Sequence, residues 1–164
     1  MKKIGIIMGS KSDLPVVQKA IDVLDELGIP FEAHICSAHR TPDEAAAFAR
    51  SARDDGFGVL IAFAGMAAHL AGAVAAHTTL PVVGVPCKGP VFDGMDALLS
   101  TVQMPSGIPV ATVAVNGGAN AAILAAEILS VGDPELARRL TEKRKTAANL
   151  VLEQDRDLQK EIRK

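Results

Sequence analysis

Short apolar runs alternate with helix-like segments along almost the whole chain. Five runs rich in Val, Ile and Ala occupy residues 3–8, 29–36, 59–64, 81–87 and 109–115. Segments with helical spacing of apolar residues follow at 14–27, 41–56, 67–77, 93–102 and 120–129. Because parallel strands need helical crossovers, this alternation predicts an α/β protein with a five-stranded parallel sheet and helices on both faces.

The ends of the predicted helices carry local signals. Gly28 favours ending the first helix, and the segment from Thr41 to Glu44 has the residues of a capping box, with Pro42 at the first helical position. The order 2-1-3-4-5 is the natural arrangement for five such units. We therefore expect a flavodoxin-like three-layer α/β/α sandwich.

A last amphipathic helix follows Asp133 and Pro134 and extends towards Ile162. The length of 164 residues suits one domain, and no repeat or linker interrupts the pattern. We expect a single domain over residues 1–164, in which residues 134–164 form a long C-terminal helical extension.

Charge is unevenly distributed along the chain. Residues 1–134 carry a net charge of −5 and residues 135–164 one of +3. A solvated amphipathic helix explains the basic end better than a nucleic-acid patch, and aromatic residues make up only 3%, with no Trp or Tyr to stack on bases. We predict no nucleic-acid partner, and any anionic substrate must be held by few cations.

Neither the cysteines nor the apolar stretches indicate export or membrane insertion. Cys36 and Cys87 lack the spacing of a zinc site or a disulfide framework, which favours a reducing compartment. Gly9, Lys11 and Asp13 interrupt the N-terminal apolar stretch before it forms a signal-peptide core, and every candidate run of about 18 apolar residues is broken. We expect a soluble cytoplasmic protein without a membrane span.

The loops after the predicted strands carry most of the chemically distinctive residues. Ligands of open parallel sheets bind beyond the carboxyl ends of the strands, so we expect these loops to converge at one edge. They comprise residues 9–13 (GSKSD), 37–42 (SAHRTP), 65–69 (GMAAH), 88–90 (KGP) and 116–120 (NGGAN).

The first loop is a weak candidate for a phosphate site. Backbone N–H groups of Gly9 and Ser10 can face a phosphate at the helix N-terminus, and Ser10 and Ser12 add hydroxyl donors. The spacing equally allows Ser12 or Asp13 simply to cap the helix. The fingerprints of nucleoside triphosphate and dinucleotide sites are absent.

The second loop is more informative, because it places His39 and Arg40 immediately before a helix. Arginine can clamp a phosphate there, and histidine can transfer protons near neutral pH. His69 could hydrogen-bond into the same cleft, whereas His34 and His77 suit structural roles.

Other chemistries have little support in the sequence. His39, His69 and Asp13 are too few for a metal site, and the GxSxG turn of serine hydrolases is missing. Cys36 is a poor nucleophile candidate beside His39, because adjacent residues at a strand end usually point apart. Acid–base chemistry by histidine, without a metal or another cofactor, is what remains.

Four motifs taken together closely resemble one known family over nearly the whole chain. They are MGSKSD (8–13), SAHRTP (37–42), AAHL (67–70) and QMPSGIPV (103–110). The family is that of the N5-carboxyaminoimidazole ribonucleotide mutases of purine biosynthesis, also described as the catalytic subunit of phosphoribosylaminoimidazole carboxylase. The resemblance implies an isomerase that forms a homo-octamer, with the C-terminal helix of each subunit reaching onto a neighbour.

The resemblance also implies a reaction and roles for individual residues. The family moves a carboxyl group from the exocyclic nitrogen of an aminoimidazole ribonucleotide to ring carbon C4, without ATP, metal or biotin. Carried over, Ser10, Asp13 and Arg40 bind the substrate, with Arg40 and the Ser10 turn at the phosphate and Asp13 at the ribose, while His39 transfers protons. Further expected pocket residues are Gly9, Ser12, Ser37, Ala38, Gly65, Ala67, His69 and Leu70.

The implied mechanism releases CO2 inside the site and adds it back at C4. A small dry pocket is then needed, and the small residues near His69 are candidates. They are Gly65, Ala67, Ala68, Gly72 and Ala73.

Two alternatives remain. A second class of the family carboxylates the aminoimidazole ribonucleotide directly with CO2, but Arg40 and the Ala-Ala-His of the third loop favour the mutase. Met66, Ala71 and residues 88–92 depart from the usual family pattern. A non-enzymatic flavodoxin-like binding module is disfavoured, because the chain has no Trp or Tyr to stack on a flavin and Ala64-Gly65 stands where a receiver domain needs Asp.

Overall fold

The computed structural model describes residues 1–163, and this part of the chain forms five strands and six α-helices. The strands are β1 (Lys3–Met8), β2 (Phe31–Ile35), β3 (Phe57–Gly65), β4 (Val82–Cys87) and β5 (Ala111–Thr112). The helices are α1 (Leu14–Glu26), α2 (Pro42–Ser51), α3 (Leu70–Ala75), α4 (Met95–Val102), α5 (Gly118–Ser130) and α6 (Pro134–Ile162), with a short 3-10 turn (Lys11–Asp13) before α1.

The strands form one parallel sheet in the order β2-β1-β3-β4-β5. This confirms the predicted flavodoxin-like α/β fold and its strand order. Because all strands run in the same direction, the loops that follow them lie at one edge of the sheet.

Helices cover both faces of the sheet. One face packs against α1, α5 and the start of α6, where Leu136 is fully buried, and the other packs against α2 and α3. Covered on both sides, β3 is an almost continuous apolar run, as predicted for a central strand. Helices α1 and α5 approach so closely that a Cβ on Gly118 would lie 2.2 Å from the backbone oxygen of Val16, and this contact therefore requires glycine.

Several elements are shorter than the sequence predicts. α2 ends at Ser51 rather than at Gly56, and β2 covers only Phe31–Ile35 of the predicted 29–36. β5 pairs with β4 only at Ala111 and Thr112, because Pro109 has no N–H to donate and the later backbone N–H groups bond to β4 irregularly. α3 begins at Leu70 rather than at residue 67. His69, directly before it, has a φ of −104° and a ψ of 41°, which lie outside the right-handed helical region. Met66, with a φ of 57°, turns the chain after β3.

The helix-end signals are confirmed in part. Gly28 follows the end of α1 with a φ of 62°, as the sequence predicts. The predicted capping box is wrong, because the Thr41 side chain makes no hydrogen bond to the first turn of α2. Its hydroxyl instead accepts from the N–H of Ser37 at 2.9 Å and so stabilises the preceding loop.

The C-terminal helix α6 extends well beyond the sheet. Asp133 caps it by accepting from the N–H of Leu136 at 3.0 Å, and its 29 residues span about 43 Å. Leu136 and Leu140 are buried, whereas the later apolar side chains are at least half exposed. These are Leu150, Val151, Leu152, Leu158 and Ile162. No helix in the described part of the chain is both long and apolar enough to cross a membrane.

Candidate active site

A cavity of about 360 Å³ opens at the edge of the sheet where the strands end. Its walls come from the loops after β1 and β2 and from the end of β3 with the turn that follows it. The lining residues are Gly9, Ser10, Ser12, Asp13, Ser37, Ala38, His39, Arg40, Ala64, Gly65, Met66, Ala68 and Leu70.

The cavity brings together most of the residues that the sequence singles out. His39, Ser10, Asp13 and Arg40 line it, and so do the other expected pocket residues except Ala67 and His69. Gly72 and Ala73, expected near a CO2 pocket, do not line it either. Sequence reasoning missed Ala64 and did not assign Met66 to the site, although its departure from the family pattern was a signal.

The loops after β4 and β5 contribute no lining residue to this cavity among residues 1–163. They are joined to each other instead, since the N–H of Lys88 donates to Asn116 Oδ1 at 2.9 Å. Within the loop after β4, Lys88 Nζ lies 2.9 Å from Asp93. All five loops thus lie at one edge of the sheet, as expected, but only three of them line this cavity.

The His69 ring is held between α3 and α4. Its Nδ1 lies 2.5 Å from the backbone oxygen of Ser100. The Ser100 hydroxyl in turn donates to the backbone oxygen of Ala68 at 3.2 Å. The ring also fills the space beside Gly72, where a Cβ would lie 1.9 Å from Nε2. These contacts fix the turn that carries Met66 and Ala68 to the cavity.

The first loop offers hydroxyls rather than free backbone donors. The N–H of Gly9 donates to the backbone oxygen of Phe63 at 3.0 Å, so the expectation that it faces a phosphate is wrong. Ser10 accepts from the N–H and the hydroxyl of Ser12, at 3.3 and 3.0 Å. Ser10 thus caps the short 3-10 turn, whereas Asp13 makes no capping hydrogen bond and its carboxylate remains available to the cavity.

Arg40 connects the first and second loops. Its Nη2 donates to the backbone oxygen of Gly9 at 3.0 Å, and its Nε donates to Ser37 Oγ at 3.4 Å. Both acceptors are neutral, so these bonds orient the guanidinium without neutralising its charge. A guanidinium has five N–H donors, and the rest can bind an oxyanion.

The Asp13 carboxyl sits in an environment that opposes its ionisation. Burial raises its pKa, while the N–H of Ser10 and the thiol of Cys87 act in the opposite direction. Burial and the nearby Asp13 charge raise the pKa of Cys87 to about 12, so this thiol is a neutral neighbour of the carboxylate rather than a nucleophile. Burial also raises the pKa of Cys36, in keeping with its low rank as a nucleophile.

Replacing Asp13 by Asn is expected to stabilise the folded protein while weakening ligand binding. A raised folded-state pKa means that stability is lost as the pH rises from the ordinary value of 3.8 through the folded-state pKa. At pH 7 the variant should therefore be more stable than the wild type. Urea denaturation between pH 3 and pH 7 measures this, with the exposed Asp25→Asn as the control. A variant less stable than the wild type at pH 7 would contradict this electrostatic assignment.

Histidine, cysteine and carboxylate side chains do not gather in groups of three or more that could hold a metal ion anywhere in the described residues. What the cavity does offer is one imidazole, one guanidinium, three serine hydroxyls and a partly buried carboxylate. This donor set suits a small phosphorylated substrate with further hydroxyl groups, together with proton transfer by histidine.

The sheet order and this cavity define a flavodoxin-like α/β protein whose cleft is equipped for a small anionic substrate. The family model for AIR carboxylase matches residues 3–149, and the chain belongs to this family.

Two bacterial relatives are similar to the chain over almost their full length. The chain is 52% identical to the N5-carboxyaminoimidazole ribonucleotide mutase of Thermotoga maritima, covering 97% of this chain and 93% of that protein. It is 53% identical to the protein of the same name from Bacillus subtilis, covering 92% and 94%. A crystal structure of a Treponema denticola PurE2 variant has 31% identity and a TM-score of 0.88 over 96% of this chain and 99% of that one.

Proposed function

We propose that this chain converts N5-carboxyaminoimidazole ribonucleotide to 4-carboxy-5-aminoimidazole ribonucleotide in purine biosynthesis. The observation that carries the proposal is the convergence of His39, Arg40, Ser10 and Asp13 on one cavity in a chain about half identical to mutases of that name. The reaction is an isomerisation, and it needs neither ATP nor a metal.

The substrate roles follow from charge and donor type. Arg40 and the Ser10–Ser12 hydroxyl pair hold the phosphate, because Arg40 contacts the backbone oxygen of Gly9, directly before Ser10, and all three side chains belong to the lining of one cavity. The Asp13 carboxylate accepts hydrogen bonds from the ribose hydroxyls. With few cations in the body of the protein, Arg40 carries most of the charge recognition.

His39 serves as the proton carrier for both halves of the reaction. In the first half the bond between the exocyclic nitrogen and the carboxyl carbon breaks, CO2 is released, and protonated His39 gives a proton to the nitrogen. In the second half C4 bonds to CO2, and His39 takes the proton that C4 loses. Each turnover returns His39 to its starting state, so no external acid or base is consumed.

Two parallel assays test the proposed function. One supplies N5-carboxyaminoimidazole ribonucleotide without added bicarbonate, and the other supplies the uncarboxylated aminoimidazole ribonucleotide with bicarbonate. We expect the C4-carboxylated product rapidly in the first assay and only slowly in the second. Turnover that occurs only at high bicarbonate would contradict the mutase and assign the chain to direct carboxylation.

We further propose that the protein acts in the cytoplasm as a homo-octamer. Two apolar helix faces support the assembly. Phe92 and three side chains of α4, Met95, Leu99 and Val102, are spaced to share one face and are 45–65% exposed. The far half of α6 is similarly exposed, and faces of this kind are usually covered by another chain.

A charged residue introduced on the apolar face of α4 tests whether this face lies between subunits. Light scattering on the wild type should give a mass roughly eight times that of one chain. Leu99→Glu should give a much smaller particle with unchanged helix content, because an unpaired carboxylate is costly to bury between subunits. The control is Leu99→Met, which keeps the apolar contact. A monomeric wild type would contradict the proposed assembly.

A further inference from the structure

Met66 is the strained residue of the site. Three non-glycine residues in the described chain have a positive φ, and they lie in the loops after β3, β4 and β5: Met66, Asp93 and Asn116. Asp93 and Asn116 belong to residue types that tolerate this conformation, and each has a polar partner in Lys88. Methionine has neither advantage. Its conformation therefore needs another explanation.

The free subunit does not compensate for this strain by burying the side chain. Met66 is 64% exposed, although it is a large apolar residue. It stands at the mouth of the cavity on the side of Gly89, where a Cβ would lie 3.9 Å from Met66 Cγ. Leu70, the other large apolar residue of the lining, is only 1% exposed and belongs to the cavity floor.

The side chain is suited to cover a flat heteroaromatic ring. Methionine is flexible, and its thioether makes favourable contacts with aromatic rings. The cavity lining contains no Phe that could serve instead. A substrate whose phosphate lies at Arg40 and whose ribose lies at Asp13 places its base deeper along the cavity wall, towards the turn after β3.

We propose that Met66 is a specificity-determining residue that packs on the aminoimidazole ring of the bound substrate and closes the cavity to water. This proposal rests on the proposed function for the identity of the ring. Water exclusion matters because the carboxyl group leaves its nitrogen before it is attached to carbon, and an open cavity lets it escape. The strained turn holds the side chain over the ring rather than against the protein core.

Kinetics of Met66 variants test the proposal. Met66→Ala should raise KM about tenfold, because it removes one thioether–ring contact and the apolar burial that accompanies it. It should also raise the fraction of substrate released as uncarboxylated aminoimidazole ribonucleotide. Met66→Leu should keep KM and the released fraction close to the wild-type values, since leucine still covers the ring with an apolar side chain. Val131→Ala, which removes a 90% exposed apolar side chain after α5, should change neither quantity.

Met66→Gly distinguishes the effect of the backbone strain from the effect of covering the ring. Glycine adopts a positive φ without strain, so the variant should have an equal or higher Tm and yet show the same rise in KM and in released aminoimidazole ribonucleotide. An unchanged KM and unchanged release in Met66→Ala would overturn the proposal. A KM effect that disappears at high protein concentration would also overturn it, because Met66 would then contact another subunit. A wild type without mutase activity would refute the proposed function instead.

Discussion

Replacing His39 by Asn should abolish turnover and leave the substrate bound. Asparagine is polar and of similar size, but it cannot accept a proton and return it. General acid–base catalysis contributes about 10²–10⁴-fold, and both halves of the reaction use the same group, so we expect kcat to fall at least 10³-fold. The dissociation constant, measured by calorimetry, should stay within about threefold, because Arg40 and Asp13 remain in place.

His77→Asn is the matched control for this experiment. His77 lies after α3 beside Arg50, with its Nδ1 3.5 Å from Arg50 Nη1, and it does not line the cavity. Its replacement should leave kcat unchanged. Near-normal kcat in His39→Asn would show that another group carries the proton.

Replacing Arg40 by Ala should remove recognition of the phosphate. A charge-assisted contact to a phosphate contributes several times the free energy of an ordinary hydrogen bond when bidentate, and we expect the dissociation constant of the ribonucleotide to rise roughly 10²-fold. The most specific readout compares the ribonucleotide with the nucleoside that lacks the phosphate. The wild type should prefer the ribonucleotide strongly, and Arg40→Ala should lose most of that preference.

Two further variants complete this experiment. One tests whether phosphate recognition needs the shape of the guanidinium or only its charge, and the other is a control. Arg40→Lys keeps a positive charge but loses the planar pair of donors, so its preference for the phosphate should be intermediate. Arg53→Ala removes an arginine that donates to Thr79 at 2.9 Å away from the cavity, and it should bind like the wild type. An undiminished preference in Arg40→Ala would assign the phosphate to another part of the site.

The fold was largely predictable because local patterns determine it. Alternating apolar runs and helical segments require a parallel sheet with helical crossovers, and the structure has that sheet. The errors lie where single residues interrupt the pattern. Pro109 shortens β5, and the non-helical backbone conformation of His69 delays the start of α3. Neither length follows from hydrophobic spacing.

The site was predictable as a set of loops but not as a set of contacts. Strand ends had to meet at one edge, which brought Ser10, Asp13, His39 and Arg40 into one prediction. Which groups remain free depends on partners distant in sequence. The backbone oxygen of Phe63 accepts a hydrogen bond from the N–H of Gly9, and the backbone oxygen of Ser100 contacts the His69 ring. The contact of Cys87 with Asp13 likewise depends on the side-by-side placement of β1 and β4 around β3.

The proposed reaction requires one cavity to transfer the carboxyl group from nitrogen to C4 without releasing it to solvent. The most direct measurement supplies N5-carboxyaminoimidazole ribonucleotide labelled with 13C in the carboxyl group, in an excess of unlabelled bicarbonate. Retention of the label in the C4 carboxyl group of the product is the predicted result. A product carrying the unlabelled carbon of the bicarbonate would contradict the claim.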